Sequence, residues 1–319
     1  MATPTEIEGR SNRADGAVGA ATCYGYEIET SLSLRYLRPG VGATSLRISE
    51  IEGVDEPVDE PMRRWIPTRD HPFEATLHDD GGRFKFWVKG TGWYLIDPHV
   101  PEIKVPRGAD PVWREERAWG FPAALCFIAR GDLPIHAAAV DVGGRALLFA
   151  APGRFGKTTL AAAFLRRGYR LLSEDISCCR LGDPAVVIPG PAMLRVRHDA
   201  YEHLDLASTT VVASDDDRVH LALEDGVRGD GEPVPLAGIL LLRKGDGPTT
   251  VERVTPTDAL QDLWALSFKL PTDDDRARSF AGVTQVADRV PIWNLQRRLR
   301  YDELDRVIDL VIDTCSVRR

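Results

Sequence analysis

The chain has 319 residues, 43% of them hydrophobic and 28% charged, and a formal net charge of −8 at pH 7. A chain of this length can bury a full core without metal or disulfide staples, and its length implies about two domains. The acidic balance argues against a nucleic-acid binder, which needs a basic face for phosphates, and no apolar run reaches the roughly 20 residues that span a bilayer.

Residues 1 to 22 are small, polar and charged without periodicity, so a disordered tail is expected there. Residues 23–112 read as a β-rich N-terminal domain, with pieces at Tyr24–Ile28, Leu32–Leu37, Ser45–Ile48, Phe73–His78, Arg83–Lys89 and Trp93–Ile96. Asp80-Gly81-Gly82 and Gly90-Thr91-Gly92 look like hairpin turns. The acidic, proline-broken stretch from Val54 to Pro61 reads as solvated surface. Trp113–Ala129 predicts one helix, with Arg114, Glu115, Glu116 and Arg117 exposed, that links to a second domain over 113–319.

Within that domain, Ile135–Val142 and Arg145–Ala150 are short β-like runs joined by Gly143-Gly144, the signature of a tight hairpin. The second run enters Ala151-Pro152-Gly153-Arg154-Phe155-Gly156-Lys157-Thr158-Thr159. An Ala/Leu-rich helix follows over Thr158–Arg167, with Arg166 and Arg167 in its last turn and Gly168 as its cap. The next strand, Tyr169–Ser173, delivers Glu174 and Asp175 at its carboxyl end. A strand, a glycine-bearing loop and a helix N-terminus together present backbone N–H groups to a polyphosphate. Gly153 to Thr159 are therefore the candidate nucleotide-binding residues. Lys157 can reach the β- and γ-phosphates and Thr158 can hold Mg²⁺. The strict pattern wants glycine six residues before the lysine, where this chain has Ala151. The alternative is a solvated Gly-Lys turn between two core elements.

The run of His136, hairpin, phosphate loop, helix, Gly-Tyr-Arg-Leu-Leu strand and two acids resembles the HPr kinase/phosphorylase family, whose fold is similar to that of ATP-dependent phosphoenolpyruvate carboxykinase. The chain is similar above all to HPr-kinase-like proteins found beside bacterial peptide-tailoring genes. The resemblance is sharp over residues 133–181 and continues through Pro189–Arg197, Pro235–Arg243 and Val290–Leu295. It implies an α/β, mixed-sheet P-loop kinase domain of HPr-kinase type beside the smaller β-rich domain. It also implies an ATP- and Mg²⁺-dependent kinase acting on a serine or threonine hydroxyl of a peptide or small protein, with a ribosomally made precursor peptide as the expected acceptor. The family carries two aspartates where this chain has Glu174-Asp175, and its glycine-rich downstream signature is not found, which argues against HPr as acceptor and against a reverse phosphorylase activity.

By resemblance Asp175 is the catalytic base and Glu174 a metal or metal-water ligand; the reverse assignment stays open. His136, by resemblance, lies near the transferred phosphate, and a core histidine bonded to a carbonyl is the alternative. Arg195 and Arg197 would face one side of a strand and could clamp phosphate or an acidic substrate segment, or line a solvated edge. His198 and His203 read as a solvated helix face rather than a metal site. Trp264, Phe268 and Trp293 read as core aromatics, and Asp273 to Arg276 as an exposed loop or helix start.

The five cysteines lack a Cys-x-x-Cys pair, and Cys178 and Cys179 would point to opposite faces of a strand. With no apolar leader segment, a reducing cytoplasm is the expected setting. Expected partners are ATP and the peptide or small protein, with neither nucleic acid nor membrane; a homo-oligomer is left open. The competing readings are an HPr-type regulatory protein kinase, a non-catalytic nucleotide-binding regulator and a small-molecule carboxykinase.

Overall fold

The computed structural model describes residues 20–68 and 73–315. The expected tail falls outside the described residues as far as residue 19, and Ala21 and Thr22 already belong to a strand.

Nine strands come first: β1 (Ala21–Cys23), β2 (Tyr26–Thr30), β3 (Arg38–Pro39), β4 (Thr44–Ile51), β5 (Arg63–Trp65), β6 (Ala75–Asp80), β7 (Arg83–Val88), β8 (Gly92–Asp97) and β9 (Glu102–Pro106). They form one mixed sheet in the order β3-β1-β2-β4-β9-β8-β7-β6-β5. In β7, β8 and β9 alternate residues, Phe84, Phe86, Tyr94, Ile96, Ile103 and Val105 among them, are buried, as the two-residue period of a one-sided sheet requires. Gly81 and Gly82, at φ +65° and +87°, make the two-residue turn between the paired residues Asp80 and Arg83.

Three expectations for this part are corrected. Leu32–Leu37 is not a strand: the N–H groups of Arg35 and Tyr36 donate to the carboxylate of Glu115 at 2.9 Å rather than to a ladder. The helix expected over Trp113–Ala129 is two, α1 (Pro111–Ala118) and α2 (Phe121–Ala129), separated at Trp119-Gly120. Glu115 and Glu116 are buried rather than exposed, because each is consumed by partners from distant segments.

The remaining elements are β10 (Leu133–Asp141), β11 (Ala146–Ala150), α3 (Lys157–Arg166), β12 (Arg170–Ser173), β13 (Ile176–Arg180), β14 (Val186–Ile188), β15 (Met193–Arg197), α4 (His198–His203), β16 (Thr209–Ser214), β17 (Arg218–Leu223), α5 (Asp225–Arg228), β18 (Val234–Lys244), β19 (Thr250–Arg253), α6 (Pro256–Leu266), α7 (Asp273–Arg289), β20 (Ile292–Arg297) and α8 (Leu304–Thr314). The Gly143-Gly144 hairpin forms, with both glycines at positive φ and β10 antiparallel to β11. On its other edge β11 runs parallel to β18, so the eight-stranded sheet is mixed. Pairings β11-β10-β13-β14-β18 return to β11 and close a ring, from which β20 and β19 extend. A third, antiparallel sheet runs β15-β17-β16.

The two halves share apolar core. Cys23, Tyr24, Tyr26 and the inward residues of β7 to β9 pack in one cluster with α2 and with Ile176, Cys178 and Ile188. Arg38 joins the halves as well: fully buried, it donates to the carbonyls of Gly190 and Leu171 at 2.8 Å each and to that of Arg228. All five cysteines are buried and free. Among the described residues no helix is long and apolar enough to cross a membrane.

Candidate functional site

Strand β11 is buried along its whole length and ends at the loop. Ala151 is packed in the core and its carbonyl accepts from the Lys157 ammonium at 2.8 Å, so the expected glycine is not needed at that position. The left-handed turns fall later, at Arg154 (φ +65°) and Gly156 (φ +78°). A Cβ on Gly156 would lie 2.5 Å from the guanidinium of Arg297, which itself donates to the Gly156 carbonyl at 3.1 Å. The chain then enters α3, whose first backbone bond runs from Leu160 N–H to Gly156 C=O. The amides of Lys157, Thr158 and Thr159 precede it and have no acceptor within the helix. Phe155 holds the loop from outside, under the ammonium of Lys244 at 4.8 Å.

The acids sit where β-pairing lapses. Strand β10 pairs β12 as far as Ala139↔Ser173 and resumes with β13 at His136↔Ile176. Glu174 and Asp175 occupy the gap, opposite Ala137 and Ala138. The hydroxyl of Ser177 donates to the Ala137 carbonyl at 2.9 Å and lies 2.7 Å from that of Ser173, which closes the lapse. The two carboxylates are thereby released from ladder geometry and turn to different partners.

Glu174 faces inward. Thr158 donates its hydroxyl to Oε1 at 3.1 Å, and Arg195 donates to Oε2 at 2.8 Å. Arg218 stands 3.8 Å from Oε1. Asp175 is half-exposed: its Oδ1 is 3.1 Å from His136 Nε2, and Arg195 is 3.5 Å from Oδ2. The Asp175 side chain is 45% exposed against 2% for Glu174, so Asp175 is the more open of the two to approach from outside.

Electrostatics follow the packing. Burial raises the Asp175 pKa, but the hydrogen bond with His136 and the charges of His136, Arg195 and Lys157 outweigh it and hold the carboxyl well below the usual range. Burial lowers the Lys157 pKa against the pull of Asp175 and Glu174; its ammonium donates to the carbonyls of Ala151 and Pro152. Burial also works against the Arg195 charge, yet Glu174, Asp175 and Glu116 around it raise its pKa on balance.

The structure therefore brings together Lys157, Thr158, Glu174, Asp175, His136 and Arg195. Arg195 is engaged by both acids. Arg197, two residues on, points to the rim and pairs with Asp217 at 3.2 Å and Asp199 at 3.7 Å. His198 and His203 stand away from this group: His198 bonds the Asp215 carbonyl and His203 stacks on Tyr301. Asp273 to Asp275 open α7, and Asp275 is buried, not exposed.

Sequence reasoning missed a buried relay behind Arg195. Glu116 Oε1 accepts from Tyr36 at 3.0 Å, and both its oxygens lie 3.0 Å from His220 Nδ1. His220 Nε2 reaches Asp215 at 3.3 Å. Burial raises the Glu116 pKa, but the His220 hydrogen bond and the Arg195 charge lower it on balance. Arg117, the next residue, has its pKa lowered by burial and then by Arg195. The partners of these residues lie about 80 to 100 positions away, so no local pattern reveals them.

No family model matches the chain, and no curated protein matches it. Among solved structures, the HPr(Ser) kinase/phosphatase from Coxiella burnetii is similar over 57% of this chain and 95% of its own, at 11% identity and a TM-score of 0.30. That is too slight a likeness to carry over an activity.

Proposed function

We propose that the protein is an ATP-dependent phosphotransferase that moves the γ-phosphate onto a serine or threonine hydroxyl of a peptide or small protein. The observation that carries this reading is the meeting of Thr158, at the first turn of a helix entered through a glycine loop, with Glu174 at 3.1 Å, beside a separately held His136–Asp175 pair.

The residues fit a magnesium nucleotide. The unaccepted first-turn amides of α3 suit a phosphate. Thr158 Oγ1 and Glu174 Oε1 form an oxygen-only pair, which suits Mg²⁺ completed by phosphate oxygens and water. Among the described residues no group of three or more His, Cys, Asp or Glu is arranged to hold a metal ion, so a cage of protein ligands is not offered. When bound, the metal would neutralise charge on the transferring phosphoryl group.

Each protein group then has one task. Lys157 would exchange its two carbonyl partners for phosphate oxygens, and the buried setting makes that exchange favourable for a desolvated cation. Arg195, donating to Glu174 Oε2, fixes the orientation of that carboxylate. Asp175 accepts the proton of the incoming hydroxyl as that oxygen bonds to the γ-phosphorus and the bond to the β-bridging oxygen breaks. His136 orients the Asp175 carboxylate.

The test is mass spectrometry of serine- and threonine-bearing peptides and small proteins incubated with the protein, ATP and Mg²⁺. One added phosphate on a hydroxyl residue is the expected product. Labelling of free small molecules alone would contradict the reading, and ATP binding without any transfer would favour a nucleotide-binding regulator.

A further inference from the structure

We propose that a basic trough beside His136 docks an acidic segment of the acceptor peptide; the inference rests on the phosphotransferase reading above. A cavity of about 260 Å³ lies between β5 and the segment after α6, lined by Met62, Arg63, Lys269, Leu270, Pro271 and Arg276. Its lining has three cations and no carboxylate, in a chain whose net charge is −8.

Those cations are poorly compensated. Arg63 forms no ion pair among the described residues and lies 4.8 Å over the Trp65 ring. Lys269 donates to the carbonyls of Trp264 and Ser267, at 2.6 and 3.1 Å, and lies 4.1 Å over the Trp264 ring. Arg276 reaches one carboxylate, that of the fully exposed Asp273, at 3.5 Å. The nearby Asp275 is buried, accepts from the Leu270 amide and is held by Arg278, so its carboxylate is already engaged. Burial lowers the pKa of Lys269, Arg63 and Arg276 oppose its charge further, and Asp275 offsets them only in part. An incoming carboxylate would relieve that mutual repulsion.

The trough leads to the reacting group. The residue before Lys269 is Phe268, whose amide donates to the Pro134 carbonyl on β10 at 3.1 Å and whose ring is 6.0 Å from that of His136. His136 in turn holds Asp175. Ring contacts Trp65–Phe121 at 5.1 Å and Phe121–Phe268 at 6.4 Å connect β5, which carries Arg63, with Phe268. An extended peptide with acidic side chains in the trough would carry a hydroxyl a few residues along over Phe268 toward Asp175. The volume falls below the roughly 300–1,000 Å³ of small-molecule pockets, which suits side chains rather than a whole ligand.

The experiment is fluorescence anisotropy on the full chain without nucleotide. The probes are a short labelled glutamate-rich peptide containing one serine and its glutamine twin. The variant is the double substitution Arg63→Gln with Arg276→Gln, which spares the Lys269 ammonium that ties the Trp264 and Ser267 carbonyls. The glutamate probe is expected to bind about tenfold more tightly than its twin, with the preference lost in the double variant and at high salt. Equal binding of the two probes, or an unchanged preference in the double variant, overturns the proposal. ATP affinity measured on the same samples separates the two readings: docking lost with ATP binding intact refutes the trough alone, and ATP binding absent with docking intact refutes the phosphotransferase.

Discussion

Thr158 and Glu174 belong to different elements, one on the first turn of α3 and the other past the end of β12, yet the threonine hydroxyl donates to the carboxylate at 3.1 Å. Their contact joins the glycine loop to the acidic pair. It also sets the two acids in different surroundings, since Glu174 is enclosed and Asp175 is half-exposed.

Asp175→Asn is expected to lower phosphotransfer by about a hundredfold or more, with ATP still bound. The shape is kept and the proton-accepting oxygen is lost. Glu174→Gln should instead weaken the dependence on Mg²⁺. Steady-state rates across a magnesium titration check both; near-wild-type transfer in Asp175→Asn with none in Glu174→Gln would exchange the roles.

Asp175 also sets a pH dependence of stability. Its folded pKa is depressed, so its contribution is fully present above the ordinary carboxylate value of about 4 and is lost as pH falls toward the folded value. The melting temperatures of wild type and Asp175→Asn should therefore differ most near neutral pH and converge in acid. A difference that widens on acidification would contradict this.

Arg195 and Arg197 should behave differently although they share a strand face. Arg195→Ala leaves the enclosed Glu174 without its main counter-charge and is expected to destabilise the fold by about 3 kcal/mol or more. Arg197→Ala breaks only rim pairs and should cost less than about 1 kcal/mol. Urea midpoints at constant slope make the comparison, and equal losses would refute the assigned roles.

Gly156→Ala should cost about 1–2 kcal/mol because the left-handed backbone disfavours a side chain. The crowding against Arg297 adds to that and should shift the loop, so ATP affinity falls as well. Denaturant unfolding and nucleotide titration of the variant should both move; a variant unchanged in both would show that the loop tolerates a Cβ there.

The site's local parts were legible in the sequence. An apolar run, glycines in the loop, Ala/Leu richness and the Gly168 stop mark strand, loop and helix, and Gly143-Gly144 marks the hairpin. The two acids could be placed because they directly follow the strand. The buried relay was not legible: Glu115 and Glu116 look like solvated helix charges until Arg35, Tyr36 and His220 are seen to fold onto them. The same contacts explain why Leu32–Leu37 has strand-like residues and no strand. The strand β9, with its alternating Ile103 and Val105, and the three-residue β5 went unread because they are short and their neighbours in the sheet are set by long-range pairing.

The central claim is that the loop around Lys157 holds the phosphates of ATP. A hydrogen bond to a charged group contributes roughly 1.5–3 kcal/mol, so Lys157→Ala should weaken ATP by about one to two powers of ten. Calorimetric titration with ATP and Mg²⁺ of the wild type and this variant measures it directly. Micromolar-range binding that drops by that factor is the expected result; no ATP binding by the wild type, or the same affinity in the variant, would contradict the account.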